Sequence, residues 1–249
     1  MIKGEDKKES KLLNGMKAIG AEIDRGLSFI IYADPGIGKT SLAATLPVGE
    51  TLIINTEAGY GPLLGTGHIV FNLDQDLKQL ETLYQWIRVH DHPFKNVVID
   101  NISEMQDWMT RSLTSGRGKD FASIAEYGDA SSKMKEYLTL FRDLTTERGM
   151  NVVFNAWEYP VEMEKRADGT VITKMYPKLF PKLAPEACGK MDAVGHLEVF
   201  DKTQERFLRF KANSRFIAKC QFKGLEELEE ANLPAIINKI RAWNYTVAE

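Results

Sequence analysis

Between a short apolar run, Phe29 to Tyr32, and a helix-forming segment that opens at Thr40 lies Ala33-Asp34-Pro35-Gly36-Ile37-Gly38-Lys39-Thr40. No other stretch restricts the fold as much. A glycine-bearing turn between a strand and a helix aims backbone N–H groups and a helix N-terminus at one spot, which cradles phosphate oxygens. In this reading Asp34, Pro35, Gly36, Ile37, Gly38, Lys39, Thr40 and Ser41 surround a nucleoside triphosphate. Lys39 reaches the β- and γ-phosphates and the Thr40 hydroxyl binds Mg²⁺, so ATP and Mg²⁺ are the expected cofactors. The strict pattern places glycine at position 33, where alanine is the smallest departure. Two glycines that merely turn the chain are the bland alternative.

The surrounding pattern supplies the strands and helices that such a loop requires. Apolar runs at Phe29 to Tyr32, Leu52 to Ile54, Ile69 to Phe71, Val97 to Ile99 and Val152 to Phe154 are continuous, as strands buried on both faces of a parallel sheet are. Helices are expected between them, at Ser41 to Ala44, Leu77 to His90, Ile102 to Leu113 and within Ser131 to Arg148. Beyond residue 158 the segment Glu162 to Lys174 alternates around Asp168-Gly169, which predicts a protruding β-ribbon with a tight turn. Three strand-like runs follow, Ala193 to Phe200, Arg206 to Lys211 and Ile217 to Phe222, joined by turns short enough for antiparallel pairing. A helical stretch is expected from Leu225 to Trp243. The fold class is therefore α/β, a mostly parallel sheet flanked by helices with an antiparallel C-terminal flank. A chain of 249 residues can bury one core of this kind, so residues 27–249 are expected to form one domain behind a charged arm, 1–26.

Charge and cysteine usage narrow the setting. A net charge of −3 leaves nucleic-acid contact to local basic loops. Cys188 and Cys220 form no CxxC, which argues for a reducing, cytoplasmic compartment and against a zinc site. Neither a signal peptide nor a transmembrane span is expected, and no membrane partner. His68, His90, His92 and His196 have no metal-ligand spacing, and Trp108, Trp157 and Trp243 read as core or interface residues.

Two carboxylates complete a site around the loop. Asn96-Val97-Val98-Ile99-Asp100 is an apolar strand ending in an aspartate that can hold Mg²⁺ through water, although an aspartate there can equally be a helix cap. Glu57 follows the second strand, and in a parallel sheet the C-terminal strand ends face the ligand crevice. A carboxylate there can polarise an attacking water.

The order Ala33 to Thr40, Asn55-Thr56-Glu57-Ala58, Val97 to Asp100 and Val152-Val153-Phe154-Asn155 resembles the core of RecA and its recombinase relatives. The resemblance implies that Glu57 is the catalytic base and that Asn155 senses the γ-phosphate, with Lys39 as the third catalytic residue. Ala156 stands where recombinases often carry glutamine. Tyr176-Pro177-Lys178 and Gly189-Lys190-Met191-Asp192 are similar to segments of phage-encoded, core-only RecA-like single-strand annealing proteins. That likeness implies an ATPase whose turnover is weak or DNA-dependent, acting on single-stranded DNA in phage-type recombination inside a bacterial host cell. Self-association as a ring or filament is implied, and a single-strand-binding protein is a further partner. The family's two DNA-binding loops correspond to Ser115 to Tyr127, with Arg117 and Lys119, and to Glu158 to Cys188, with Lys174, Tyr176, Lys178 and Lys182. Its trans-acting cations correspond to Arg209, Lys211, Arg215 or Lys219. A helicase-like motor core or loader shares most of these residues. A nucleotide kinase, or a nucleotide switch with little turnover, is the reading from another class.

Overall fold

The computed structural model describes residues 23–57, 59–115, 122–165 and 167–243. Its centre is a ten-stranded sheet: β1 (Ser28–Ala33), β2 (Thr51–Asn55), β3 (Ile69–Asn72), β4 (Asn96–Asp100), β5 (Asn151–Lys165), β6 (Val171–Pro177), β7 (Ala193–Val199), β8 (Arg206–Arg209), β9 (Lys219–Cys220) and β10 (Leu228–Glu230). The order along the sheet is β10-β8-β7-β1-β5-β4-β2-β3. From β7 to β3 every neighbouring pair is parallel. β8 and β9 pair antiparallel with β7, as expected from their short polar turns, and β10 adds antiparallel to β8.

Side-chain alternation distributes the sheet's two faces between two sets of helices. Ile30, Tyr32, Ile54, Val97, Ile99, Val152 and Phe154 face one layer built of α2 (Leu77–Val89), α3 (Ile102–Ser115), α4 (Ile124–Glu147) and α5 (Leu183–Lys190). Phe29, Ile31, Ile53, Val98 and Val153 face α1 (Lys39–Ala43) and α6 (Leu233–Ala242). Because both faces are covered, the strands show unbroken apolar runs rather than alternation.

Three expected boundaries are corrected. α4 begins at Ile124 rather than near Ser131, because Ser123 and Glu126 form a reciprocal capping box. The candidate loop Ser115 to Tyr127 therefore ends in helix. Leu225 to Trp243 is not one helical stretch: β10 pairs with β8 first, and Asn232 then caps α6 by accepting from the Ala235 amide at 3.0 Å. The candidate loop Glu158 to Cys188 is mostly ordered, since β5 runs on past residue 158 to pair with β6 and α5 follows. The ribbon's turn is as expected, with Gly169 at φ +87° and the Asp168 carboxylate accepting from the Thr170 amide at 2.9 Å.

Asp192 ties the entry of β1 to the entry of β7. Its carboxylate takes a bidentate pair from Arg25, at 2.8 and 2.6 Å, and accepts from both the Ser28 amide and hydroxyl at 2.9 Å.

Candidate active site

β1 ends buried at Ala33, and the chain then turns through Gly36 at φ +82° and Gly38 at φ +110° before α1 begins at Lys39. Positive φ of this size is open to glycine and strained for other residues. The Lys39 side chain is buried and its ammonium donates to the carbonyls of Ala33 and Asp34 at 3.0 and 2.9 Å. Burial lowers the Lys39 pKa, opposed by the charges of Asp100, Glu57 and Asp34. A desolvated ammonium among carboxylates and carbonyls is a strong receptor for phosphate.

The Thr40 hydroxyl donates to Asp100 Oδ2 at 2.6 Å. Asp100 is not the cap of α3: the adjacent Asn101 accepts from the Glu104 amide at 2.8 Å, which leaves the Asp100 carboxylate for Thr40. A hydroxyl and a carboxylate in direct contact at a phosphate loop are the two protein oxygens that can hold Mg²⁺, one directly and one through water.

Sheet register puts the remaining polar residues on one row. Asn55 lies opposite Asp100, and Asp100 opposite Asn155. Each terminates or interrupts an apolar run on β2, β4 or β5, so the row marks the crevice edge. Glu57 is half-buried two residues beyond Asn55 and accepts a hydrogen bond from the Asn101 amide group. Thr56 and Asn101 exchange hydrogen bonds at 2.7 Å, which fixes the chain on either side of Glu57 and Asp100. Burial, reinforced by the Asp100 charge and offset by Lys39, raises the Glu57 pKa.

Asn155 is 1% exposed, and its Nδ2 is the buried side-chain nitrogen that has no hydrogen-bond partner among the described residues. An orphaned buried donor costs about 1–3 kcal/mol, so its retention beside Asp100 fits an acceptor that arrives with a ligand. Asn155→Leu is accordingly expected to stabilise the nucleotide-free protein, by about 1 kcal/mol. It should also diminish the rise in melting temperature on adding Mg·ATP; thermal unfolding with and without nucleotide measures both.

Other sequence candidates are placed as follows. Arg209 is already paired with Glu198 and Glu227, and the Lys219 ammonium donates to the Gly189 carbonyl at 2.6 Å. Lys211 and Arg215 are exposed, with the Arg215 guanidinium 5.0 Å from the Phe216 ring. Lys174 and Tyr176 stand half-buried on β6, and Lys182 is exposed just before α5. Lys178 pairs with Asp107 at 2.8 Å and lies 4.8 Å from the Trp157 ring centre. Arg117 and Lys119 lie outside the described residues.

Sequence reasoning missed three groups at or near the site. Asn101 could have been found from Asp-Asn at a helix start, where either residue can cap. His196, taken as isolated, is buried with Nε2 2.7 Å from Glu158 Oε2 and stacks on Phe216 at 3.8 Å; a contact across 38 residues has no local signal. Arg206 reaches back across β7, and its Nε donates to the Ile37 carbonyl at 2.8 Å.

A mostly parallel sheet with a phosphate loop, two carboxylates and an orphaned asparagine along its C-terminal strand ends has the architecture of a P-loop ATPase domain, a class that generally uses ATP and Mg²⁺. More particularly, the chain belongs to the AAA domain family AAA_24, which it matches over residues 25–222. Among solved structures, the crystal structure of the RadB recombinase is similar at a TM-score of 0.48 and 16% identity, over 90% of this chain and 96% of that chain. No curated protein matches the chain. Among the described residues, no helix is long and apolar enough to cross a membrane.

Proposed function

We propose that this protein hydrolyses ATP and binds single-stranded DNA, acting in recombination or strand annealing of the phage type as one copy among several in a ring or filament. The unpartnered Asn155 donor beside the Thr40–Asp100 contact carries the hydrolytic part of the reading. Mg²⁺, when held by Thr40 and Asp100, neutralises charge on the terminal phosphates. Lys39 gives up its loop carbonyls to bind the β- and γ-phosphates, and Asn155 donates to the γ-phosphate. Glu57, held by Asn101, takes the proton of the attacking water, and burial raises its pKa above the ordinary glutamate value. A cation from a neighbouring copy, drawn from Arg209, Lys211, Arg215 and Lys219, completes the charge balance. The free exposure of Lys211 and Arg215 favours those two over the paired Arg209.

The DNA-binding part is supported by a cleft of about 560 Å³ between α3, the start of α4 and the base of the ribbon. Tyr127, Tyr159 and Phe180 line it beside Lys178 and Arg111. Tyr127 and Tyr159 are exposed although aromatic, which suits stacking on bases, and stacking of that kind reads no sequence. The cleft adjoins both segments that sequence likeness marks as DNA loops.

The test is ATP hydrolysis by wild type and Tyr159→Ala, with and without single-stranded DNA at two salt concentrations, followed by annealing of complementary oligonucleotides. Wild type should bind DNA more weakly at the higher salt and hydrolyse ATP faster with DNA. Tyr159→Ala should lose about tenfold in DNA affinity while keeping its DNA-free ATPase rate. Salt-insensitive or absent DNA binding sinks the recombination reading, and phosphate transfer to a nucleoside installs the kinase. Stimulation by DNA without annealing marks a motor or loader.

A further inference from the structure

Glu57 is held from two sides. Asn101 donates to it from just before α3, and the half-buried Trp157 side chain donates a second hydrogen bond from β5, two residues past Asn155. Burial is the largest influence on the Glu57 carboxyl and raises its pKa, with Asp100 adding to the rise; the Trp157 bond acts the other way, because it favours the charged form. A force that turns the Trp157 ring therefore changes both the basicity and the aim of Glu57.

The main chain of Trp157 is fixed, and its ring is not fixed in the same way. Its amide donates to the Ser103 hydroxyl at 3.0 Å, its carbonyl accepts from the Lys178 amide at 2.7 Å, and the Ser103 hydroxyl in turn donates to the Lys178 carbonyl at 2.9 Å. These bonds clamp β5 to the end of the ribbon. The ring is seated by a side chain instead: the Lys178 ammonium lies 4.8 Å from its centre and pairs with Asp107 at 2.8 Å. The Lys178 and Asp107 side chains are 34% and 33% exposed, and both line the aromatic cleft of about 560 Å³. An ion pair that open to water is weak, so an anion entering the cleft competes with Asp107 for Lys178. The other charges that act on Glu57 are Asp100 on β4, Lys39 on α1 and Glu104 on α3. Glu104 also reaches the cleft, through its ion pair with Arg111 at 2.9 Å.

We infer that Trp157 is a positioning residue for Glu57 and that the Lys178–Asp107 pair makes it answer to the cleft. A phosphate group of bound single-stranded DNA draws Lys178 off the indole ring, the ring turns, and Glu57 loses one of its two donors. This rests on the proposed reading of Glu57 as the base and of the cleft as the DNA site, and the controls separate it from both.

ATP turnover across pH, with and without saturating oligo(dT), tests it on wild type, Trp157→Phe and Lys178→Met. Phenylalanine keeps a ring beneath the Lys178 ammonium and loses the N–H donor; methionine keeps an apolar stem and loses the charge. Loss of the donor raises the Glu57 pKa, so the acid limb moves to higher pH. At one fixed pH on that limb, each variant without DNA should retain about threefold less of its own neutral-pH rate than wild type does. DNA should impose the same change on wild type and no further change on either variant. Lys178→Met, at a partly exposed side chain, carries the test if Trp157→Phe does not fold. The inference is overturned if either variant keeps the wild-type acid limb without DNA, or if DNA binds wild type and leaves its limb in place. It is also overturned if DNA still moves the limb of Trp157→Phe, which would route the effect through Arg111 and Glu104. Wild type that hydrolyses ATP without binding DNA removes the DNA reading and the Lys178 step with it, while the DNA-free limb of Trp157→Phe still decides the role of Trp157. Wild type that hydrolyses no ATP overturns the hydrolytic reading and this inference together.

Discussion

Glu57→Gln is expected to slow ATP hydrolysis by about 10²–10⁴-fold while ATP affinity changes by less than about threefold, measured as steady-state turnover beside nucleotide binding. The substitution keeps the shape and the hydrogen bond from Asn101 but removes the carboxylate that the proposed mechanism uses as its base. The pH profile gives an independent readout. Burial and the Asp100 charge raise the Glu57 pKa, so the acid limb of the wild-type rate should lie above the ordinary glutamate range and vanish in the variant. Linkage gives the sign for stability. A carboxyl whose folded pKa is raised binds its proton more tightly in the fold, and that contribution is lost as pH rises through the folded value. At neutral pH the nucleotide-free variant should therefore melt higher than wild type. Unchanged turnover would remove Glu57 from the mechanism.

Asp192→Ala should produce the largest loss of stability, about 3–5 kcal/mol in denaturant unfolding. The reason is geometric. One carboxylate, 5% exposed, accepts two hydrogen bonds from the Arg25 guanidinium and one each from the amide and hydroxyl of Ser28, and all four are lost at once. Burial raises the Asp192 pKa, but the hydrogen bonds from Arg25 and Ser28 outweigh it and hold the carboxyl below its ordinary value. For a depressed carboxyl the stabilisation is present above the unfolded pKa, about 3.9, and is lost as pH falls through the lower folded value. Wild type should therefore lose stability as pH drops below about 4, and Asp192→Ala should show a flatter acid limb. Because the tie joins the start of β1 to the start of β7, it lies at the opposite strand end from the phosphate loop. Nucleotide binding by protein that remains folded should be unaffected.

The parallel sheet was legible because its strands are buried on both faces, so that Val97 to Ile99 or Val152 to Phe154 announce themselves without any knowledge of neighbours. The phosphate loop was legible because its chemistry is local: Gly36, Gly38, Lys39 and Thr40 lie within five residues. The C-terminal flank was less so. β10 has three residues, and its existence depends on β8 offering an open edge, which no pattern between Leu225 and Trp243 encodes.

What the sequence determined by itself was the strand–loop–helix cradle and the strand-end carboxylates Glu57 and Asp100, since each is fixed by residues adjacent in the chain. What only the tertiary structure decided was which of these touch. Sheet register sets Asp100 against Thr40 and leaves the Asn155 donor unpartnered beside it. Strand order brings Arg206 onto the loop from 169 residues away and buries His196 against Glu158. Contacts of that range come from packing two faces of one sheet, and packing depends on the whole chain rather than on any segment of it.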